Sequence, residues 1–279
     1  MIYIFLSVCC SVFVSVLLKL AKRYEIDTKQ AITWNYSIAT LLTWIIYKPE
    51  IPEINAVYIS LGILLPSLFL VLALSVQYTG IVRTDIAQRL SLFIPVLASF
   101  IIFSEAQSAL KLFGIFIAFI AIIFSIPWQK DSNKGINNWI YPLIVFIGMG
   151  LIDILFKQIA KTTSVPFTSS LIIVFPLAFL LSISYLLYLY KRGKMKFRLI
   201  NLICGWILGI ANFGNILFYL KAHQSLSNSP SLVFSSMNIG VILLGSAIGV
   251  IIFKERLSRL NYWGIALALI SIVVLYFAN

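Results

Sequence analysis

The sequence predicts an all-α integral membrane protein: ten transmembrane helices forming two inverted five-helix repeats around a central cavity. Three observations predict it: an inventory too apolar for a watery surface, ten charge-free runs of near-membrane length, and one register shared by the two halves. Of 279 residues, 61% are hydrophobic and only 11% charged, and the mean hydropathy is +1.02. A soluble domain carries about 25% charged residues, so this chain has no surface to offer water.

The runs are 2–18, 30–47, 54–82, 90–104, 112–129, 135–152, 162–190, 199–220, 224–253 and 260–279. A hydrocarbon core about 30 Å thick takes roughly 20 mainly apolar helical residues. Most runs reach that length, and 90–104 does so with Asp85 and Arg89 in its first turns. Backbone groups in lipid must pair internally, which leaves helices or a closed barrel. Barrel strands alternate in polarity, and a stretch such as LGILLPSLFLVLAL does not. The first run has no basic leader and no A-x-A site, and KLAKR follows it; it reads as a first span and not a signal peptide.

The last quarter of the chain explains an earlier stretch. Slid back by 150 residues, Ile251-Ile252-Phe253, Glu255 and Gly264-Ile265 land on Ile101-Ile102-Phe103, Glu105 and Gly114-Ile115, and Ala268, Ile270 and Ile272 land on Ala118, Ile120 and Ile122. At an offset of 138, Ile140-Tyr141, Leu155 and Lys157 land on Ile2-Tyr3, Leu17 and Lys19. The halves are 1–128 and 137–279, joined by the polar turn QKDSNKG. Five spans per half is an odd number, so the second copy is inverted relative to the first. Two inverted copies around one site can exchange shapes and open that site to either side.

Two five-helix repeats, each with an apolar helix, a Glu-bearing turn (FSEAQSALKLFG and FKERLSRLNYWG) and a Gly/Ala-bearing last helix, resemble the EamA type of the drug/metabolite transporter superfamily. The resemblance covers essentially the whole chain. It implies a cavity between spans 1, 3, 4, 6, 8 and 9, with spans 5 and 10 peripheral. It also implies one departure. The small multidrug resistance branch carries a proton-coupling glutamate in its first helix, and the first helix here has no acid.

The net charge of +12 is read against membrane sidedness and not as a nucleic-acid surface. Loops after odd-numbered spans carry 15 Lys and Arg and loops after even-numbered spans carry 5, with Arg89 inside the fourth span. The positive-inside rule then puts both termini outside, in a bacterial cytoplasmic membrane. Cys9, Cys10 and Cys204 lie in apolar runs with no disulfide or metal spacing. His223 has no second ligand nearby, so no metal or other cofactor is expected.

Substrate-cavity candidates are the polar groups placed at membrane depth, where such groups are costly. Ser231, Ser235, Asn238, Gly245 and Gly249 share a face of the ninth span, and Asp85, Gln88, Pro95 and Ser99 the matching face of the fourth. Gly245-x-x-x-Gly249 would allow close helix approach. Asp153 and Lys157 stand four apart in the sixth span, close enough to pair, as do Asp85 and Arg89 in the fourth. Lys19 and Lys157 end the first helix of each half; cavity lining and snorkelling both fit Lys19. Asn212, Asn215 and Tyr219 recur on the eighth span, and Gln77-Tyr78 end the third. Amides and phenols converging in an apolar pocket suit a zwitterionic or amide-bearing metabolite, and they suit bonding between helices equally. Trp34, Asn35 and Tyr36 read as interfacial anchors. Glu105 and Glu255 read as structural, pairing with bases or backbone donors, and Pro66, Pro95, Pro142 and Pro176 as kink sites.

The function these features point to is a secondary transporter of a small organic solute (an amino acid or similar metabolite, or a drug-like one), working outward by alternating access. Import, or flipping of a lipid head group with Arg83, Arg89 and Lys254, is the alternative. An intramembrane enzyme fits poorly: there is no H-E-x-x-H, one His only, and no acidic cluster. The expected partners are the substrate, the bilayer and a coupling proton or ion, with no nucleic acid, the chain being a monomer or a homodimer.

Overall fold

The computed structural model describes residues 1–79, 81–125, 139–161, 166–254 and 258–278; at Lys22, Arg23, Ala73, Gln77, Ile81, Val82 and Asp85 it describes the backbone alone. The described elements are eleven helices: α1 (Ile2–Arg23), α2 (Thr28–Tyr47), α3 (Ala56–Thr79), α4 (Ile81–Leu90), α5 (Phe93–Ile101), α6 (Ala109–Ser125), α7 (Ile140–Lys161), α8 (Phe167–Lys191), α9 (Leu199–Ser225), α10 (Pro230–Ile251) and α11 (Arg259–Phe277). Among the described residues, seven are long and apolar enough to cross a membrane: α1, α3, α7, α8, α9, α10 and α11. The outward faces carry Phe5, Phe116, Ile210 and Trp263, each more than half exposed. An all-helical chain in such an apolar coat has the architecture of an integral membrane protein.

The fourth expected span is two helices, and Pro95 supplies the reason. A proline ring clashes with the carbonyl four residues back and donates nothing to it; that carbonyl belongs to Ser91, where the break falls. Ile94 N donates to the Ser91 carbonyl instead (3.0 Å), and the Ser91 hydroxyl donates to the Gln88 carbonyl (2.7 Å). Asp85 and Arg89 therefore belong to α4, ahead of the break. Pro142 is no kink site: it lies in the first turn of α7, where a missing N–H has no partner to lose. Pro66 and Pro176 sit inside unbroken α3 and α8.

Side-chain pairs fix how the helices run. Tyr3 lies by Lys221, Ser7 by Asn215 and Cys10 by Gly214, so α1 is antiparallel to α9. Asp153 meets Tyr219 and Lys157 meets the His223 carbonyl, so α7 is parallel to α9. Hence α1 and α7, the first helices of the two expected halves, point in opposite directions. The last helices of those halves, α6 and α11, also pack antiparallel. Gly114 sits against Leu275 and Gly264 against Ser125, and these are the same pair of positions read at the 150-residue offset. Ser271 donates to the Gly114 carbonyl (2.8 Å), while the Gly264 side of the seam meets the Ala121 carbonyl, again the matching position. The start of α11 is capped by reciprocal Ser258–Asn261 bonds, and Asn261 also donates to the Phe124 and Ser125 carbonyls, closing the seam at that end.

A close seam joins α2 and α9, which run parallel. Asp27 N donates to Asn201 Oδ1 (3.2 Å) and Gln30 Nε2 to the Lys196 carbonyl (2.9 Å) at its start. Trp206 reaches the Ser37 hydroxyl and Asn212 the Asn35 side chain further along. Gly205 and Gly209, four apart on α9, make this possible: a Cβ on Gly205 would meet the Ala31 carbonyl oxygen at 2.7 Å, and one on Gly209 the Asn35 carbonyl oxygen at 2.7 Å and Ile38 closer still. This is the small-xxx-small packing of membrane helices. The expected Gly245-x-x-x-Gly249 contact is not its counterpart, because nothing lies within 4 Å of a Cβ built on Gly245. Gly209→Ala is therefore expected to destabilise the purified protein by about 1–3 kcal/mol, the usual cost of overpacking. Gly245→Ala is expected to be neutral or slightly stabilising; thermal unfolding in detergent compares the two.

The anchor reading of α2 is corrected. Tyr36 is 0% exposed and Asn35 2%. Because α2 begins at Thr28, eight residues at ~1.5 Å each put Tyr36 about 12 Å into the helix, with its side chain inside the bundle. Trp34 stays half-buried, 6.1 Å from the Phe179 ring.

Candidate functional site, a polar cluster on the interior of the helical bundle

Polar groups of α7 and α9 meet inside an apolar bundle, with Phe234 of α10 packed beside them. Asp153, on the inward face of α7, accepts a hydrogen bond from the Tyr219 hydroxyl of α9 (3.0 Å). No other hydrogen bond or ion pair of Asp153 exists among the described residues, and its side chain is half-buried. Tyr219 stands edge-on to Phe156 (centroids 6.2 Å) and to His223 (4.7 Å), and His223 faces Phe234 of α10 at the same 4.7 Å. Both His223 nitrogens are buried without a hydrogen-bond partner among the described residues. The ring is held by aromatic contact.

The expected Asp153–Lys157 pair does not form. Lys157 is 1% exposed, and its ammonium donates to the carbonyls of His223 (3.3 Å) and Ser227 (3.1 Å) at the end of α9. The physical reason is that a helix C-terminus offers unpaired carbonyls and a negative dipole end, both within reach of a long side chain on a parallel neighbour. Asp153 is left facing the interior without a fixed cation among the described residues.

The remaining candidates divide by what their heads do. Asn212 donates to Asn35 Oδ1 (3.2 Å), and Asn215 accepts from Ser7 through both its side chain (2.8 Å) and its carbonyl (2.9 Å). With Tyr219, one face of α9 thus bonds α2, α1 and α7 in turn. Asn238 turns back on its own helix, donating to the Phe234 carbonyl (3.0 Å). Ser235 is buried with no partner for its hydroxyl among the described residues. Tyr78 stacks on Tyr141 (5.2 Å, 17°), joining the end of α3 to the start of α7. Gln88 and Arg89 lie in the last turn of α4, and Lys19 holds its ammonium 3.9 Å over the Phe253 ring. The Gln77, Asp85 and Glu255 side chains lie outside the described residues.

Glu105, read from the sequence as structural, is that. In the turn after α5 it pairs with Lys111 (2.9 Å) and accepts from the backbone N–H (2.9 Å) and hydroxyl (2.6 Å) of Ser231, fastening the start of α10. Ser231 is thereby committed to that cap. Residues missed in the sequence are Ser7, Gly205 and Gly209. The G-x-x-x-G spacing was visible for the glycines; nothing local marks Ser7.

An all-helical membrane protein with a polar cluster inside its bundle is the class these features define. The chain is 41% identical to an uncharacterized protein of Haemophilus influenzae over 98% of this chain and 97% of that one, and it belongs to that protein's family. No family model matches the sequence. A crystal structure whose description names no activity shares the fold, with a TM-score of 0.75 over 99% of this chain and 96% of that one at 11% identity.

Proposed function

We propose that the protein is a secondary transporter of the EamA type: two inverted five-helix repeats, with α4 and α5 together making the fourth span, which carry a small organic metabolite outward across a bacterial cytoplasmic membrane by alternating access. The observation that carries this reading is the antiparallel α6–α11 seam, whose glycine contacts repeat at the 150-residue offset. The opposed α1 and α7 support it in the same way. The helices exchange partners consistently between halves: α1 packs on α9 as α3 packs on α7, and α2 on α9 as α3 on α8. Such a pattern is what two interchangeable halves require.

Asp153 is the centre of the proposed site, with the Tyr219 hydroxyl donating to it and orienting it. A carboxylate at this depth without a fixed cation needs a counter-charge from elsewhere, and the cargo or a coupling proton supplies it. The test is flux into proteoliposomes from a mixture of amino acids and related metabolites. Saturable, gradient-dependent movement of at least one solute is expected; an inert protein across the panel would count against transport.

A further inference from the structure

We propose that the chain carries two matched latches, one at each end of the bundle, and that they close alternately. In each, the lysine four residues before the end of the first helix of one half lies over the phenylalanine in the Glu-bearing turn of the other half. The proposal rests on the alternating-access reading above.

The sequence offsets define the match. Lys19 and Lys157 correspond at 138 residues, and Phe103 and Phe253 at 150. Neither pairing was used to align the other, yet the structure joins them crosswise. Lys19 Nζ lies 3.9 Å from the Phe253 ring centroid and Lys157 Nζ 5.9 Å from that of Phe103, a ring it shares with Lys161 Nζ, also at 5.9 Å, all within cation–π range. The residues that follow each phenylalanine, Ser104 and Lys254, share a left-handed φ of 54°. The two turns are therefore built alike, in a conformation that non-glycine residues seldom take. Because α1 and α7 run oppositely, the two lysines lie at opposite ends of the bundle.

The latches are not in the same state. At the Lys157 end the ammonium is sealed from solvent and bonded to two carbonyls of α9 and its turn. There Glu105, two residues after Phe103, fastens that turn to α10. At the other end Lys19 keeps its ring contact but is exposed. A second asymmetry goes with the first. The α4–α5 break falls at Ser91-Leu92, while α10 runs unbroken through the matching Val241-Ile242, next to Gly240 and with open space around Gly245. Two halves with one register and two packings hold each other's shape as an alternative. Both lysine helices pack on α9, so movement of one helix reaches both latches. On the charge bias of the loops, the sealed end faces outward.

The full-length chain, with Cys9, Cys10 and Cys204 replaced by alanine, is tested in lipid nanodiscs by distance measurement between spin labels. One pair sits at Gln107→Cys and Asn228→Cys on the sealed end, the other at Tyr24→Cys and Ile252→Cys on the opposite end. Lys157→Met is expected to lengthen the first distance by several ångströms and to shorten the second. Lys19→Met is expected to leave the first short and lengthen the second. Phe103→Leu, which keeps apolar bulk and removes the ring, should reproduce Lys157→Met and serves if that variant does not fold. For Lys157→Met, a longer first distance with no shortening of the second, or no change at either, overturns the latches, as does a Lys19→Met protein whose second distance is unchanged. If the unlabelled protein still moves solute in proteoliposomes, only the latches fall; with no flux as well, the transport reading falls too.

Discussion

Glu105→Ala is expected to destabilise the protein by about 3–5 kcal/mol, the range for removing one member of a buried ion pair. Three interactions end together: the Lys111 pair at 2.9 Å and the two bonds from Ser231. Lys111 is 5% exposed, and in the variant its ammonium keeps, among the described residues, only the Ala106 carbonyl at 3.3 Å, so a buried charge is stranded. The N-terminus of α10 also loses the carboxylate that complements its dipole, an effect of up to about 2 kcal/mol where partly buried. Lys111→Met should be milder, because Glu105 retains its Ser231 donors, and adding Lys111→Met to Glu105→Ala should recover part of the loss. Thermal unfolding of the four proteins in one detergent gives the coupling directly. Additive effects, or a Glu105→Ala protein as stable as the wild type, would remove the clasp between the α5–α6 turn and α10.

How much of this was legible in the sequence depends on the scale of the signal. The all-helical, apolar character was readable because burial in lipid imposes long charge-free runs. The match of Gly114 to Gly264 was readable at the 150-residue offset, but that the two helices bearing them pack on each other was not, because that contact is made only in the fold. The break before Pro95 was readable in kind but not in place: proline acts on the carbonyl four residues back, and only the fold shows the chain turning there instead of bending. Tyr36 misled because interfacial aromatics are counted from the helix end, and the true start at Thr28 was hidden by the charges of Asp27 and Lys29. The Asp153–Lys157 pairing misled for a different reason. Spacing along one helix says which side chains can meet, whereas the carbonyls that capture Lys157 belong to His223 and Ser227, 66 and 70 residues away. Contacts of that range are set by packing and have no local signature.

Asp153→Asn separates the site from the scaffold. The amide keeps an oxygen where the carboxylate had one, so the Tyr219 hydroxyl retains its acceptor at about the present 3.0 Å. What disappears is the charge. Eight residues from the end of α7, or about 12 Å at ~1.5 Å per residue, a carboxylate without a fixed cation among the described residues is a cost to folding, and the variant is expected to melt no lower than the wild type. Flux is expected to fall at least tenfold, corresponding to about 1.4 kcal/mol or more of lost stabilisation of the rate-limiting state. Tyr219→Phe should show the opposite balance. It removes the one donor Asp153 has among the described residues and should cost about 1 kcal/mol of stability, the usual net worth of a hydrogen bond, while the charge that meets the cargo remains. A Tyr219→Phe protein that is destabilised yet active, beside an Asp153→Asn protein that is stable yet inert, is the pattern the site requires. Wild-type flux from Asp153→Asn would return Asp153 to the scaffold, since a group that can lose its charge without consequence is not what the cargo or its coupling ion meets.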